Sequence, residues 1–269
     1  MPLDLAYEAV GNGPPLLILH GLFGASGNWH SIARALSLSH RVISVDLRNH
    51  GGSPWAAAMS YLEMADDVRD LIEREGWEPP VVMGHSMGGK TAMALALCYP
   101  QLVSRLIVVD IAPVSYGDRL SGVAEAMRGI DLLAAASRDE VQRQLAGRLH
   151  EPGVVPFLMQ NLVARDGRFD WRFNLAAISA ALPALTGFPA ALRSLRYDGP
   201  LQVIAGGLSD HVRGSDGDEF RPLFPQVRVE VIEEAGHWVH AEQRAAFLAC
   251  VTQALQAQAR PAAHATAFP

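Results

Sequence analysis

The sequence predicts an α/β fold: a mostly parallel central sheet flanked by helices, interrupted by an inserted helical segment. Three observations predict it. Continuous apolar runs at 16–20 (LLILH), 81–84 (VVMG) and 106–110 (LIVVD) have the length and composition of strands buried on both faces. Helical patterns separate such runs, the alternation that gives parallel strands joined by crossover helices. Between residues 113 and 197 the alternation stops and only helical stretches are visible.

Each element follows from its pattern. Residues 3–10 alternate weakly and end at Gly11-Asn12-Gly13, which reads as an edge hairpin. Residues 28–38 carry helical periodicity through Trp29, Ile32, Ala33 and Leu36, and 41–46 (RVISVD) form the next strand. Ser60-Tyr61-Leu62-Glu63 has the capping-box pattern and opens a helix to about residue 75. Residues 91–98 (TAMALALC) read as a buried helix after the VVMG strand. The inserted segment offers helices at 123–135, 138–149, 156–161 and 175–182. Strands return at 201–205 (LQVIA) and 227–232 (VRVEVI), with a last helix over 242–257. The organisation expected is therefore a core of 1–112 and 198–257, a helical cap of 113–197, and a frayed Ala- and Pro-rich tail at 258–269.

The totals fit that plan. The chain has 269 residues, 49% of them hydrophobic, enough for one large α/β domain with an insertion. A formal net charge of -6 gives no reason to expect a nucleic-acid or anionic-membrane partner. No apolar run approaches the roughly 18–20 residues of a membrane span, and the first residues lack the pattern of a signal peptide. Cys98 and Cys250 are the only cysteines. They read as free thiols of a cytoplasmic protein, a monomer or small homo-oligomer.

The chemistry is carried by Gly84-His85-Ser86-Met87-Gly88, a G-x-S-x-G sequence between a strand and a helix. Such a turn strains the serine backbone and lifts its hydroxyl clear of the sheet. Ser86 is the candidate nucleophile. Its base is sought after the last strand, where Glu234-Ala235-Gly236-His237 places His237 at the sheet rim. His240, three residues on, reads as packing or capping, and the two lack a third ligand for a metal. His20 reads as a brace for the loop after its strand, and His85 as a local packing residue. His30, His40, His150 and His264 read as surface residues, and His50 and His211 as loop residues. The oxyanion donors expected are the backbone N–H groups of Met87 and of Leu22, in the loop His20-Gly21-Leu22-Phe23-Gly24. Two aspartates compete for the acid. Asp110 ends the LIVVD strand, and Asp210 lies in the loop after LQVIA.

Five blocks together resemble a known superfamily: HGLFG (20–24), DLRNHGGSP (46–54), GHSMGGK (84–90), VVDIAP (108–113) and AGHWVH (235–240). From residue 3 to 255 the chain is similar to the α/β-hydrolases, and within them to the YbfF-type bacterial esterases and their mitochondrial abhydrolase relatives. The resemblance implies the α/β-hydrolase fold with a helical cap, no cofactor and no metal. It also implies Asp110 as the acid, because that branch carries it after the strand following the elbow. In the common pattern the acid is the fourth residue of a Gly-x-x-Asp turn; counted from Gly206 that position is Ser209, and Asp210 comes one place late. Leu208-Ser209-Asp210-His211 departs from the branch, whose members carry Asn-Ser-x-Tyr there. Asp46 and Arg48 read as scaffold, a strand-end charge pair or a loop brace.

The activity expected is hydrolysis of a small carboxylic ester or thioester through an acyl-enzyme. A cofactor-free perhydrolase or C–C bond hydrolase would use the same residues, and a hormone-receptor-like binding module the same scaffold. Leu, Ala and Met in 123–135 and 157–163 suit either an acyl pocket or plain helix packing. Arg128, Arg138, Arg143 and Arg148 suit a solvated helix face better than an acidic head group such as a CoA phosphate.

Overall fold

The computed structural model describes residues 1–118, 120–151, 153–212 and 217–256; the expected tail at 258–269 lies outside them. In chain order the first half comprises β1 (Tyr7–Val10), β2 (Pro15–Leu19), α1 (His30–Leu36), β3 (Arg41–Val45), α2 (Tyr61–Glu75), β4 (Val81–His85), α3 (Met87–Cys98) and β5 (Arg105–Val109). The intervening segment contains α4 (Ser121–Arg128), α5 (Arg138–Ala146), α6 (Val154–Met159), β6 (Leu162–Arg165), β7 (Arg168–Trp171) and α7 (Leu175–Leu185). The chain then returns through β8 (Leu201–Gly206), β9 (Val227–Ile232), α8 (Val239–Glu242) and α9 (Arg244–Gln256).

Seven strands form one sheet in the order β1-β3-β2-β4-β5-β8-β9. All neighbours run parallel except β1, which lies antiparallel to β3. The apolar runs are buried on both faces because successive side chains point to opposite sides. Leu17, Leu19, Val82, Leu106 and Val108 join one core with α2 and α3. Leu16, Ile18, Met83, Ile107, Val109 and Ile204 join a second core beneath α1 and α9. The N-cap half of the expected capping box is formed at α2: Ser60 Oγ accepts from the Glu63 N–H, the Glu63 carboxylate lies 3.6 Å from Arg48 Nη1, and Gly76 ends the helix in the left-handed region at φ 64°.

Two expectations change. Residues 3–10 do not form a hairpin with the following strand. β1 pairs instead with β3, Tyr7 opposite Val45. The buried strand β2 takes β3 and β4 as its two parallel neighbours, which leaves β3's outer edge for the exposed residues of β1. The segment between β5 and β8 is also not purely helical. β6 and β7 form an antiparallel pair closed by Asp166 and Gly167, both at positive φ (48° and 75°). That is the Asp-Gly two-residue turn, whose backbone twist matches the strands it joins. Within this segment α4 stops at Arg128, short of residue 135, before Gly129. Among the described residues no helix is long and apolar enough to cross a membrane.

Candidate active site

Ser86 occupies the turn between β4 and α3 with φ 53° and ψ −118°, a strained backbone for a side-chain-bearing residue. Its glycine neighbours are required by close approach. A Cβ on Gly84 would lie 2.2 Å from the Gly88 carbonyl oxygen, and one on Gly88 would lie 2.3 Å from that of Leu19. β2, the turn and the start of α3 are therefore in backbone contact. The 20–24 loop lies alongside, since a Cβ on Gly21 would come within 3.4 Å of Ser86 Cβ. Met87 opens α3, so its N–H belongs to the first turn, whose donors have no partner within the helix.

Asp110 follows β5 at φ 47° with no exposed surface. Its Oδ2 accepts from His237 Nδ1 at 2.7 Å and from the Ser209 hydroxyl at 2.5 Å, and its Oδ1 accepts from the Gly206 N–H at 2.9 Å. Three donors thus converge on this carboxylate. Asp210, the competing acid, is 60% exposed at its side chain and lies 3.8 Å from His211 Nδ1. With its Nδ1 proton on Asp110, neutral His237 keeps a lone pair on Nε2. Burial pushes the His237 imidazole down to about 4 and the Asp110 carboxyl up to about 6. The Ser209 and Gly206 hydrogen bonds pull Asp110 back toward ionisation.

The other histidines divide by role. His20 braces the loops as its position implies: Nδ1 donates to the Gly21 carbonyl at 2.8 Å, and Nε2 accepts from the Leu47 N–H at 3.0 Å. His50 is fully buried, and its Nε2 accepts from the Phe23 N–H at 3.2 Å. His240 packs, stacked on Trp29 at 4.2 Å. His85 reaches further than its local setting implies, with Nε2 donating to the His237 carbonyl at 2.9 Å. His211 is brought to the site, stacked on the His237 ring at 4.0 Å with 24° between planes. Asp110, His211 and His237 have the donor types of a metal cluster. With the two rings nearly parallel, however, their in-plane lone pairs do not converge on one ion. Of the two scaffold readings the loop brace applies: Arg48 engages buried Asp67 through Nε (2.7 Å) and Nη2 (2.8 Å). Asp46 braces the loop by accepting from the Ser26 and Gly52 N–H groups.

Ser86, His237, Leu22 and Met87 line one cavity of about 210 Å³. The segment between β5 and β8 supplies part of its wall through Leu120, Val123, Phe157 and Leu158. Ala124 and Met127 of α4 point instead into the core, so both readings of that apolar stretch apply. Two of its arginines serve as struts. Arg138 donates to the Met159 and Leu162 carbonyls, and Arg148 to those of Gln144 and Gly129. Ser209 and His211 are the site residues the motif reading passed over, and the only signal was the unusual Leu-Ser-Asp-His sequence.

A serine on a strained strand-to-helix turn and a buried Asp–His pair at the rim of a parallel sheet define a class of protein. Accordingly, the family model of the alpha/beta hydrolase fold matches residues 14–243, and the chain belongs to that family. Among curated relatives it is similar to an sn-1-specific diacylglycerol lipase of Mus musculus, 39% identical, with 94% of this chain and 86% of that protein covered. It is also similar to the Escherichia coli (strain K12) esterase YbfF, 36% identical, covering 91% of this chain and 94% of the relative. Among solved structures, a marine microorganism esterase matches with a TM-score of 0.89 at 33% identity, covering 93% of this chain and 99% of that one. The chain is a carboxylesterase-type hydrolase.

Proposed function

We propose that the chain cleaves small carboxylic esters or thioesters through an acyl-enzyme on Ser86. His237 is the base, Asp110 its partner, and the N–H groups of Leu22 and Met87 the oxyanion donors. The observation that carries this reading is the 2.7 Å hydrogen bond from His237 Nδ1 to buried Asp110, beside a cavity that Ser86 and His237 share. His237 Nε2 takes the Ser86 proton as the hydroxyl attacks the acyl carbonyl, and Asp110 stabilises the imidazolium that forms. The alkoxide or thiolate leaves with that proton. Water then attacks the acyl-serine with the same base. Among the backbone donors of the 20–24 loop, Phe23 N–H is taken by His50 and Gly24 N–H by the Gly21 carbonyl. Leu22 supports the second oxyanion position, where one donor is typically worth about 2.7–4 kcal/mol.

In this reading the segment 113–197 is the cap that closes the acyl side of the cavity, through Leu120, Val123 and Phe157. An apolar wall favours an uncharged acyl chain. Two free thiols, Cys98 and Cys250, support a reducing, cytoplasmic setting. The test uses a short-chain nitrophenyl ester and a fluorophosphonate probe. Wild type is expected to turn over the ester and to carry the probe on Ser86, and Ser86→Ala to lose both. Wild-type turnover by Ser86→Ala would remove the assignment.

A further inference from the structure

Lys90 lies one turn along α3 from Ser86 and is 1% exposed. Its Nζ donates to three backbone carbonyls: Val114 at 2.8 Å, Thr186 at 3.2 Å and Gly187 at 2.6 Å. The ring of Tyr116 lies 4.7 Å from the nitrogen and that of Tyr61 5.7 Å. Among the described residues the charge is thus met by carbonyl dipoles and aromatic faces. The side chain also lines the Ser86 cavity.

The three carbonyls sit at two places in the chain. Val114 is in the connection that leaves β5, and Thr186 and Gly187 are in the one that leaves α7. They flank α4 to α7, the helices of the 113–197 segment. They also meet directly, because the Tyr116 N–H donates to the Thr186 carbonyl at 2.9 Å. One side chain on the elbow helix therefore ties both flanks of α4–α7 to the element that carries Ser86.

The count of protons matters. An ammonium has three N–H donors and satisfies all three carbonyls. A neutral amine has two, so deprotonation removes one of the three ties between Nζ and the two connections. Burial pushes Lys90 down to about 7, which brings this change near neutral pH. The titratable groups that face it are Tyr61 from α2 and Tyr116 from the connection after β5. Tyr61 donates its hydroxyl to the Leu185 carbonyl, and burial holds that phenol neutral by pushing it far above its ordinary range. Tyr116 donates its hydroxyl to the His211 carbonyl. The outgoing connection presents its carbonyls to Nζ.

We propose that Lys90 is a positioning residue: its ammonium pins both flanks of α4–α7 over the Ser86 cavity and so sets how tightly that cavity holds a substrate. The kinetic half of this statement rests on the esterase reading above; the pinning itself does not. The test has two arms. In the first, native-state hydrogen exchange of the wild-type chain is followed from pH 6 to 8.5, corrected for the intrinsic rate. Peptides covering 112–118 or 183–190 are expected to lose protection about tenfold as pH rises across 7 and one of the three ties is released, while 105–109 does not. Protection that stays constant with pH in both connections overturns the pin.

In the second arm, Lys90→Met keeps an unbranched side chain one atom shorter and removes every donor. It is expected to show low, pH-independent protection in the same two peptides. Its KM for a nitrophenyl ester should rise about tenfold while kcat on the same ester stays within about threefold. That split marks lost positioning and not lost chemistry. An unchanged KM in a folded Lys90→Met overturns the proposal. If that variant fails to fold by circular dichroism, the wild-type exchange decides alone. If the chain shows no esterase activity, the exchange arm still reads the pin.

Discussion

Replacing Asp110 with Asn separates the two candidate acids. The wild-type carboxylate receives three donors: His237 Nδ1–H and Ser209 O–H on Oδ2, and Gly206 N–H on Oδ1. An asparagine has one acceptor oxygen and one NH₂. If the NH₂ faces His237, the imidazole must offer its Nδ1 lone pair and move its proton to Nε2. The ring then has no lone pair left for the serine. If the amide is flipped, the oxygen keeps His237 and Ser209, but the NH₂ meets the Gly206 N–H. Two donors then face each other in a site with no exposed surface, at a cost of about 1–3 kcal/mol. The first arrangement avoids that clash, so the wrong tautomer prevails. Substitutions of this kind lower kcat about 10⁴-fold, or about 5.4 kcal/mol at 1.36 kcal/mol per tenfold. The assay is kcat on a nitrophenyl ester, with a denaturation midpoint to show that the fold persists. Asp210→Asn, at a 60% exposed side chain, should stay within about twofold. Retention of a tenth of the activity by Asp110→Asn, or collapse in Asp210→Asn alone, would refute the reasoning.

Two further outcomes are expected. Gly88→Ala puts a Cβ 2.3 Å from the Leu19 carbonyl oxygen and 2.6 Å from that of His20, so backbone must move; overpacking of this sort costs about 1–3 kcal/mol. Chemical denaturation should show that loss, and a midpoint equal to wild type would contradict the close approach. The second concerns acid. Burial holds His50 near 3 and His237 near 4, and His20, His85 and His240 also below their ordinary value. The unfolded chain, with histidines near 6.5, therefore binds more protons below that pH, and stability falls as pH drops from about 6.5 toward 4. His50 alone removes on the order of 2 kcal/mol by pH 5. Asp110, raised to about 6, opposes this between about 6 and 3.8, one carboxyl against five imidazoles. Equal stability at pH 7.5 and pH 5 would show that these rings are not held neutral.

The sheet was legible because its signal is local. Strands such as Leu16–Leu19 are buried on both faces, so they show as unbroken apolar runs. The helix over 61–75 was legible for the same reason, with its cap and its terminating glycine both written in the chain. Pairing is different. Nothing in residues 3–10 says that β1 will cross over β2 to reach β3, because that choice is made by which sheet edge remains open. The hairpin of β6 and β7 was missed for a third reason. Its strands are four residues each and only partly buried, and its one strong signal is the Asp166-Gly167 pair within an otherwise helical stretch.

The same division runs through the site. Ser86 is readable because a strained turn with backbone contact on both sides demands small residues at fixed spacing, and sequence records spacing. Asp110 and Asp210 have equal claims by spacing, since both follow a strand of the sheet. What separates them is a register between distant strands. β5 and β8 are adjacent, so the end of one brings Gly206 N–H and the Ser209 hydroxyl onto the carboxylate at the end of the other. A carboxylate with three convergent donors keeps its geometry when buried; one at the surface does not orient an imidazole. His211 and Lys90 follow the same rule. The stacking of one on His237 and the three carbonyls around the other are contacts between segments about 25 to 100 residues apart. They become visible only when the fold brings those segments together.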